Sequence, residues 1–306
     1  MATTASTPAP TATAPVPRKA RKAQALPGER SLAASPSTWF VWAGMAVFLV
    51  FLAGIIVAVV VDSFGRQWFT GWLPAEWASS WYSGAWSRFS LGEVIGVTVG
   101  VAFAVVAISV LVGVPASYLL ARRNFPGKKA VTALFLLPIL MPPITYGIPL
   151  ATVMYAFGLG RTLVAVVLVN LVPSIPFVIL TMTPFIEQIN PSIESAARMC
   201  GASIRQVFTR VLAPLLIPGI LAAGILVLVR TVGMFELTFL VSGPGSDTLV
   251  VSIYRAMTSA GGGEARQLIS AMSVMYTATM LIILAVALRF VNPTQLVARV
   301  KENRED

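Results

Sequence analysis

Six stretches of this chain run for more than twenty residues with no more than two charges each: about Trp39 to Val61, Glu93 to Leu120, Ala130 to Phe157, Thr162 to Phe185, Leu212 to Val241 and Gln267 to Phe290. An α-helix needs about 20 apolar residues to cross about 30 Å of hydrocarbon, so each run can span. Inside lipid every backbone N–H and C=O must be satisfied within the protein, which leaves helices or a closed barrel. The alternation of barrel strands is missing, so the chain reads as an all-α integral membrane protein with six transmembrane helices. Composition agrees, with 57% of 306 residues hydrophobic and 11% charged, against about 25% charged in soluble domains.

Composition also removes chemistries. With no His and a single cysteine, Cys200, a His-based triad, a Cys/His zinc cluster and an internal disulfide are excluded, and no metal site is expected. A pI near 10.4 would point to nucleic acid in a soluble protein, so the location of the positive charge decides its meaning. Residues 1–37 open with Ala, Thr and Pro and continue with Arg18, Lys19, Arg21 and Lys22, the composition of a disordered basic tail. The run after it, 38–61, is uncharged and long enough to span, unlike a cleaved leader. With the amino terminus inside, 16 Lys and Arg fall on the inner side (5 in the tail, 4 in 121–129, 3 in 186–211, 4 from Arg289 onward) and 5 on the outer side. The bias makes both termini cytoplasmic, including the tail 291–306. The net +10 is then topology plus attraction to lipid head groups, and no nucleic-acid partner is expected.

Residues 62–92 form an outer loop with five of the seven tryptophans, Trp68, Trp72, Trp77, Trp81 and Trp86. They share no helical face and Pro74 interrupts them, so two short interfacial pieces are expected rather than one amphipathic helix. The loop suits an aromatic belt at head-group level or a docking surface for an outer partner.

Between the fourth and fifth spans, residues 186–211 are too polar for lipid and too well capped for a linker. Asn190 is an N-cap with Pro191 at the first helical position and Glu194 in the first turn. Gly201 suits a left-handed stop, and Ser203 with Gln206 makes a capping box. A helix, a glycine turn and a second helix running toward Pro214 result.

The run Glu194-Ser195-Ala196-Ala197-Arg198-Met199-Cys200-Gly201-Ala202-Ser203, with Pro214 thirteen residues beyond Gly201, resembles the EAA loop of ATP-binding-cassette importer permeases. It departs from that pattern where Ser195 stands at the Glu position, Glu194 lying one residue earlier, and where Val211 and Ala213 replace Ile and Leu. The chain from about Glu93 to Phe290 is similar to the five-helix core of type I (MetI-like) permeases, here with one extra amino-terminal helix and a cytoplasmic coupling-helix loop. The resemblance implies that Glu194, Ser195, Ala196, Ala197, Arg198, Gly201, Ala202, Ser203, Arg205 and Pro214 couple this chain to an ATPase. Small Ala196, Ala197 and Gly201 would let the helix into a groove, and Arg198, Arg205 and Arg210 would meet its acidic rim. It further implies an ATPase dimer, a second permease subunit, identical or homologous, an extracytoplasmic solute-binding protein, and residence in the bacterial cytoplasmic (inner) membrane. This chain has no GxxxxGK[ST] loop, so ATP and Mg are expected in the partner, with no cofactor and no enzyme site here.

Polar groups inside spans are costly and therefore candidates for a solute path. Arg230 and Glu236 lie six residues apart, about 240° on a regular helix, with Gly233 between them as a possible break. Pro142 and Pro143 should disrupt the third span near Thr145 and Tyr146. Asn170 suits either the path or a helix-to-helix hydrogen bond. Gly261 to Gly263 read as a flexible outer loop. The acid at Glu236 inclines the solute toward a polyamine or other small cation, with a sugar, another small organic solute or ferric iron as alternatives. An autonomous secondary transporter or channel would need inverted repeats and coupling-ion carboxylates. A membrane enzyme would need a polar cluster near one interface.

Overall fold

The computed structural model describes residues 36–68, 71, 73–259 and 263–289, with side chains from residue 39. The basic tail, apart from its last two residues, the tail 291–306, Trp72, Gly261 and Gly262 lie outside the described residues. The chain divides into two compact units that part between Ile55 and Ile56. The described part of the first is the opening of helix α1, Pro36–Phe64, which is apolar throughout up to Asp62.

The second unit continues with β1 (Gly65–Gln67), β2 (Glu76–Trp77), α2 (Ser80–Arg88), α3 (Leu91–Arg122), α4 (Lys128–Leu140), α5 (Pro143–Ala156) and α6 (Leu163–Glu187). After these come α7 (Pro191–Met199), α8 (Ile204–Gln206), a π turn (Val207–Leu212), α9 (Ala213–Val232), α10 (Glu236–Val241), α11 (Leu249–Thr258) and α12 (Arg266–Arg289). Helices α3, α6 and α9 pack on one another as the centre of this unit. Val105, Val166, Val178, Met182, Leu216 and Val227 fill the space between them. The α3–α6 approach requires Gly113, where an added Cβ would stand 2.7 Å from a Val178 methyl. In lipid, where no hydrophobic drive separates one apolar surface from another, close backbone approach of this kind supplies packing.

Arg122 at the end of α3 lies against Ile189, just past the end of α6, so both helices run toward the 186–211 segment. The chain must return between them, and it does so through α4 and α5. The third span, expected as one helix over Ala130 to Phe157, is two helices of 13 and 14 residues bent by 97°. Pro142 and Pro143 have no N–H to give the carbonyls of Pro138 and Ile139, and the pair together makes the crossing that neither helix of about 20 Å makes alone. Five further helices among the described residues are each long and apolar enough to cross, which allows six crossings when the bent pair is counted as one span.

Three other boundaries differ from expectation. The second elbow helix is not separate, because Ile204–Val232 runs as one helix through the π turn into the fifth span. That span stops at Val232 instead of Val241; Gly233 has φ −85°, so the stop uses no left-handed residue, and α10 begins anew at Glu236. The stretch after it, which carries no expected span, holds α11, whose Leu249, Val251, Ser252 and Ala256 are buried.

The tryptophan-rich loop is a two-stranded antiparallel ribbon followed by α2. Trp81 Nε1 donates to the Gly65 carbonyl at 2.9 Å, and the hydroxyls of Ser63 and Tyr82 meet at 2.7 Å. Asp62 pairs with Arg266 and accepts from Ser270 Oγ, at 2.8 and 2.7 Å, which ties the last turn of α1, just before the ribbon, to the start of α12. A second small core beneath it gathers Ala85, Leu91, Leu249, Leu268 and Met272.

Candidate functional site

The 186–211 segment is built from local rules. Asn190 Oδ1 accepts from Ser192 N at 2.9 Å, Pro191 takes the first helical position, and Gly201 ends α7 at φ +82°. At that glycine the Ala202 N–H reaches the Ala197 carbonyl and the Gly201 N–H the Arg198 carbonyl, satisfying end groups of the helix. Ser203 and Gln206 exchange both bonds of a capping box, at 2.8 and 3.3 Å.

Tertiary contacts then separate the ten residues of the coupling motif by direction. Ser195, Ala196, Arg198, Gly201, Ser203, Arg205 and Pro214 are exposed, whereas Ala197 and Ala202 are half-buried against the central core. Glu194 is 5% exposed. Its Oε1 takes the Arg122 Nε–H at 2.7 Å and its Oε2 the Tyr118 hydroxyl at 2.7 Å, while Arg198 stands 3.7 Å away. Arg122 Nη2 also donates to the Ile189 carbonyl at 2.6 Å. The carboxylate that opens the motif is thus turned inward, onto the end of α3. Ile193 and Met199 are exposed three residues either side of Ala196, and Ile204 is exposed at the start of α8, so the exposed surface mixes these apolar side chains with Ser192, Ser195, Arg198 and Arg205. Sequence reading counted Arg122 only as a topological charge and passed over Tyr118, Ile193, Met199 and Ile204. The i,i+4 spacing of Glu194 and Arg198 was legible; that Arg122, 72 positions away, would compete for the carboxylate was not.

The intramembrane candidates gather where the fifth span breaks. Arg230 lies in the last turn of α9 with its guanidinium 5.7 Å over the Phe177 ring, and Glu236 opens α10. Tyr146 of α5 is within electrostatic reach of both, and its hydroxyl is buried without a hydrogen-bond partner. The break over 233–235 removes the regular helical separation of Arg230 and Glu236, yet they form no ion pair. Asn170, 1% exposed, donates to the Val166 carbonyl at 2.8 Å and to Thr238 Oγ1 at 3.1 Å, with its Oδ1 unpartnered. It therefore ties α6 to α10. Thr145 and Pro142 are exposed at the α4–α5 bend.

At the opposite end from α7, a cavity of about 310 Å³ is lined by Arg88, Glu93, Asp247, Ser252 and Arg255 among others. Arg255 pairs with Asp247 at 2.8 Å and Arg88 with Glu264 at 3.0 Å. No group of His, Cys, Asp and Glu suited to a metal ion occurs among the described residues.

Residues 113–294 match the family model described as binding-protein-dependent transport system inner membrane component. Over 132 residues the chain is 34% identical to the trehalose transport system permease protein SugB of Mycobacterium tuberculosis, a match covering 43% of this chain and 48% of that one. It is 30% identical over 164 residues to the molybdenum transport system permease protein ModB of Haemophilus influenzae, covering 48% of this chain and 72% of the relative. The chain thus spans about half the length of the first of these relatives. A crystal structure of a bacterial ABC transporter involved in the import of the acidic polysaccharide alginate superposes with a TM-score of 0.67 at 19% identity, covering 85% of this chain and 99% of that one. That likeness establishes the fold.

Proposed function

The chain belongs to the family of binding-protein-dependent transport system inner membrane components, and on that premise we propose that it is the membrane subunit of an ATP-driven importer, working with separate ATPase subunits. The single observation that carries the proposal is the outward face of α7. A nine-residue helix capped at both ends is held at the end of the central bundle and presents Ile193, Ala196 and Met199 outward, with Ile204 exposed at the start of α8. An exposed apolar patch with an arginine edge is what a protein partner covers. In this reading ATP is hydrolysed by that partner, the exposed motif residues from Ser195 to Pro214 are its contact, and Ala197 and Ala202 set the helix at its height. The Lys and Arg bias of 16 to 5 puts this end in the cytoplasm, together with both termini.

A second permease subunit completes the path, and an extracytoplasmic binding protein delivers the solute to the opposite end, where the cavity and the tryptophan ribbon lie. Solute passes by Tyr146, Arg230 and Glu236, near the break in the fifth span. Arg230 has no carboxylate within ion-pair distance among the described residues and Tyr146 has a free hydroxyl. Both favour a solute rich in acceptor oxygens, an oxyanion or a polyhydroxyl compound, and the relatives named for molybdenum and trehalose are in keeping with it. Only Glu236 speaks for a polyamine or other cation.

The test is co-purification of the full chain with its ATPase subunits from membranes, followed by uptake into proteoliposomes of molybdate, trehalose and spermidine in turn. ATP-dependent uptake of one of the first two is expected. Transport of any of them by this chain alone, with no ATPase bound, would overturn the proposal.

A further inference from the structure

A nine-residue helix is too short to be stable by itself, so a push on α7 travels only through the contacts that hold it. On the α9 side the connection is the π turn Val207–Leu212, a widened turn of the kind that recurs at functional sites. On the other side stands the Glu194 junction. Arg122 grips α7 through Glu194 and the chain leaving α6 through Ile189, at 2.7 and 2.6 Å, with its side chain 12% exposed. A planar guanidinium with two fixed donors holds both elements in one geometry, and little water competes for it. Tyr118, one turn earlier on α3, donates to the same carboxylate and meets the Phe208 ring edge-on at 5.8 Å. The junction therefore fixes α7 to the end of α3 and to the chain leaving α6, and through Phe208 it also touches the π turn.

Resting on the reading of α7 as the ATPase contact, we infer that Arg122 and Tyr118 are positioning residues that make α3 follow α7 when the ATPase moves. Because Gly113 and Val178 lock α3 to α6, these two helices travel as one body.

The experiment uses the full chain bound to its co-purified ATPase, with exposed Cys200 changed to Ser and spin labels placed at Ser192→Cys on α7 and Leu111→Cys on α3. The inter-label distance is measured without nucleotide and after trapping with MgATP and vanadate. In the otherwise unaltered chain the distance is expected to stay the same. In Arg122→Gln, with ATPase still bound, it is expected to change by about one helical turn, roughly 5 Å, and Arg122→Lys, which keeps the charge but not the planar fork that spans Glu194 and Ile189, is expected to restore constancy only in part. Should Arg122→Gln not accumulate in membranes, the near-isosteric pair Tyr118→Phe with Glu194→Gln takes its place with the same expectation. A distance that stays constant in these variants overturns the inference alone. A wild-type chain that retains no ATPase overturns the docking proposal, and this inference with it.

Discussion

Arg122, the last residue of α3, donates its Nε–H to Glu194 of α7 at 2.7 Å across 72 positions of sequence, and both side chains are almost out of solvent. A buried ion pair gains little over a well-packed apolar pair, but removing one partner leaves an uncompensated charge. Glu194→Ala is therefore expected to destabilise the chain by about 3 kcal/mol. Thermal unfolding in detergent checks this, and a loss below about 0.5 kcal/mol would mean that the pair is open in solution.

The outward face of α7 can be altered without touching that pair. Ala196→Asp places a charge on an exposed position, where surface changes move stability by no more than about 0.5 kcal/mol. Retained membrane insertion with loss of the bound ATPase is expected, checked by co-purification. Intact binding would remove α7 from the contact.

Gly201 sits at φ +82° with open space around the missing side chain. Gly201→Val is expected to cost about 1–3 kcal/mol through backbone strain alone and to displace the capping box that follows. Hydrogen exchange over 198–206 should rise; unchanged protection there would show that the turn tolerates a β-branched residue.

Gly113 has no room for even a methyl group beside Val178. Overpacking of this kind costs about 1–3 kcal/mol, so Gly113→Ala is expected to lower the melting temperature, and Val178→Gly, which removes both the methyl at 2.7 Å and the Cβ at 2.8 Å, to cost less beside Gly113→Ala than alone, a partial rescue. Failure of that rescue would place the strain elsewhere.

For the path, Arg230→Gln is expected to raise the KM for an oxyanion such as molybdate by about tenfold, the equivalent of 1.4 kcal/mol, with Glu236→Gln having less effect. Unchanged uptake kinetics in Arg230→Gln would take it out of the path. The opposite ranking, with spermidine as the solute that moves, would favour a cation path through Glu236.

Much of this architecture is written locally. Hydrophobic length sets the number of crossings, since any helix long and apolar enough must lie in lipid whatever surrounds it. Asn190, Gly201, Ser203 and Gln206 define the elbow because a cap is a bargain between residues two to five positions apart. The motif from Glu194 to Pro214 is legible for the same reason. What the sequence alone left undecided depends on partners far along the chain. Pro142 and Pro143 weaken the third span, but the 97° bend is set by what α4 and α5 pack against. Gly233 marks a weak point, yet the helix stops there in ordinary helical geometry, and α10 is fastened through its own Thr238 by Asn170 from another span. Glu194 had three nearby donors to choose from in principle, and only the arrival of α3 decided that it would face inward. Local rules carry the elements and their ends because their energies are paid within a turn or two of chain; direction, bend and burial belong to the tertiary structure because they are fixed by side chains tens of residues away.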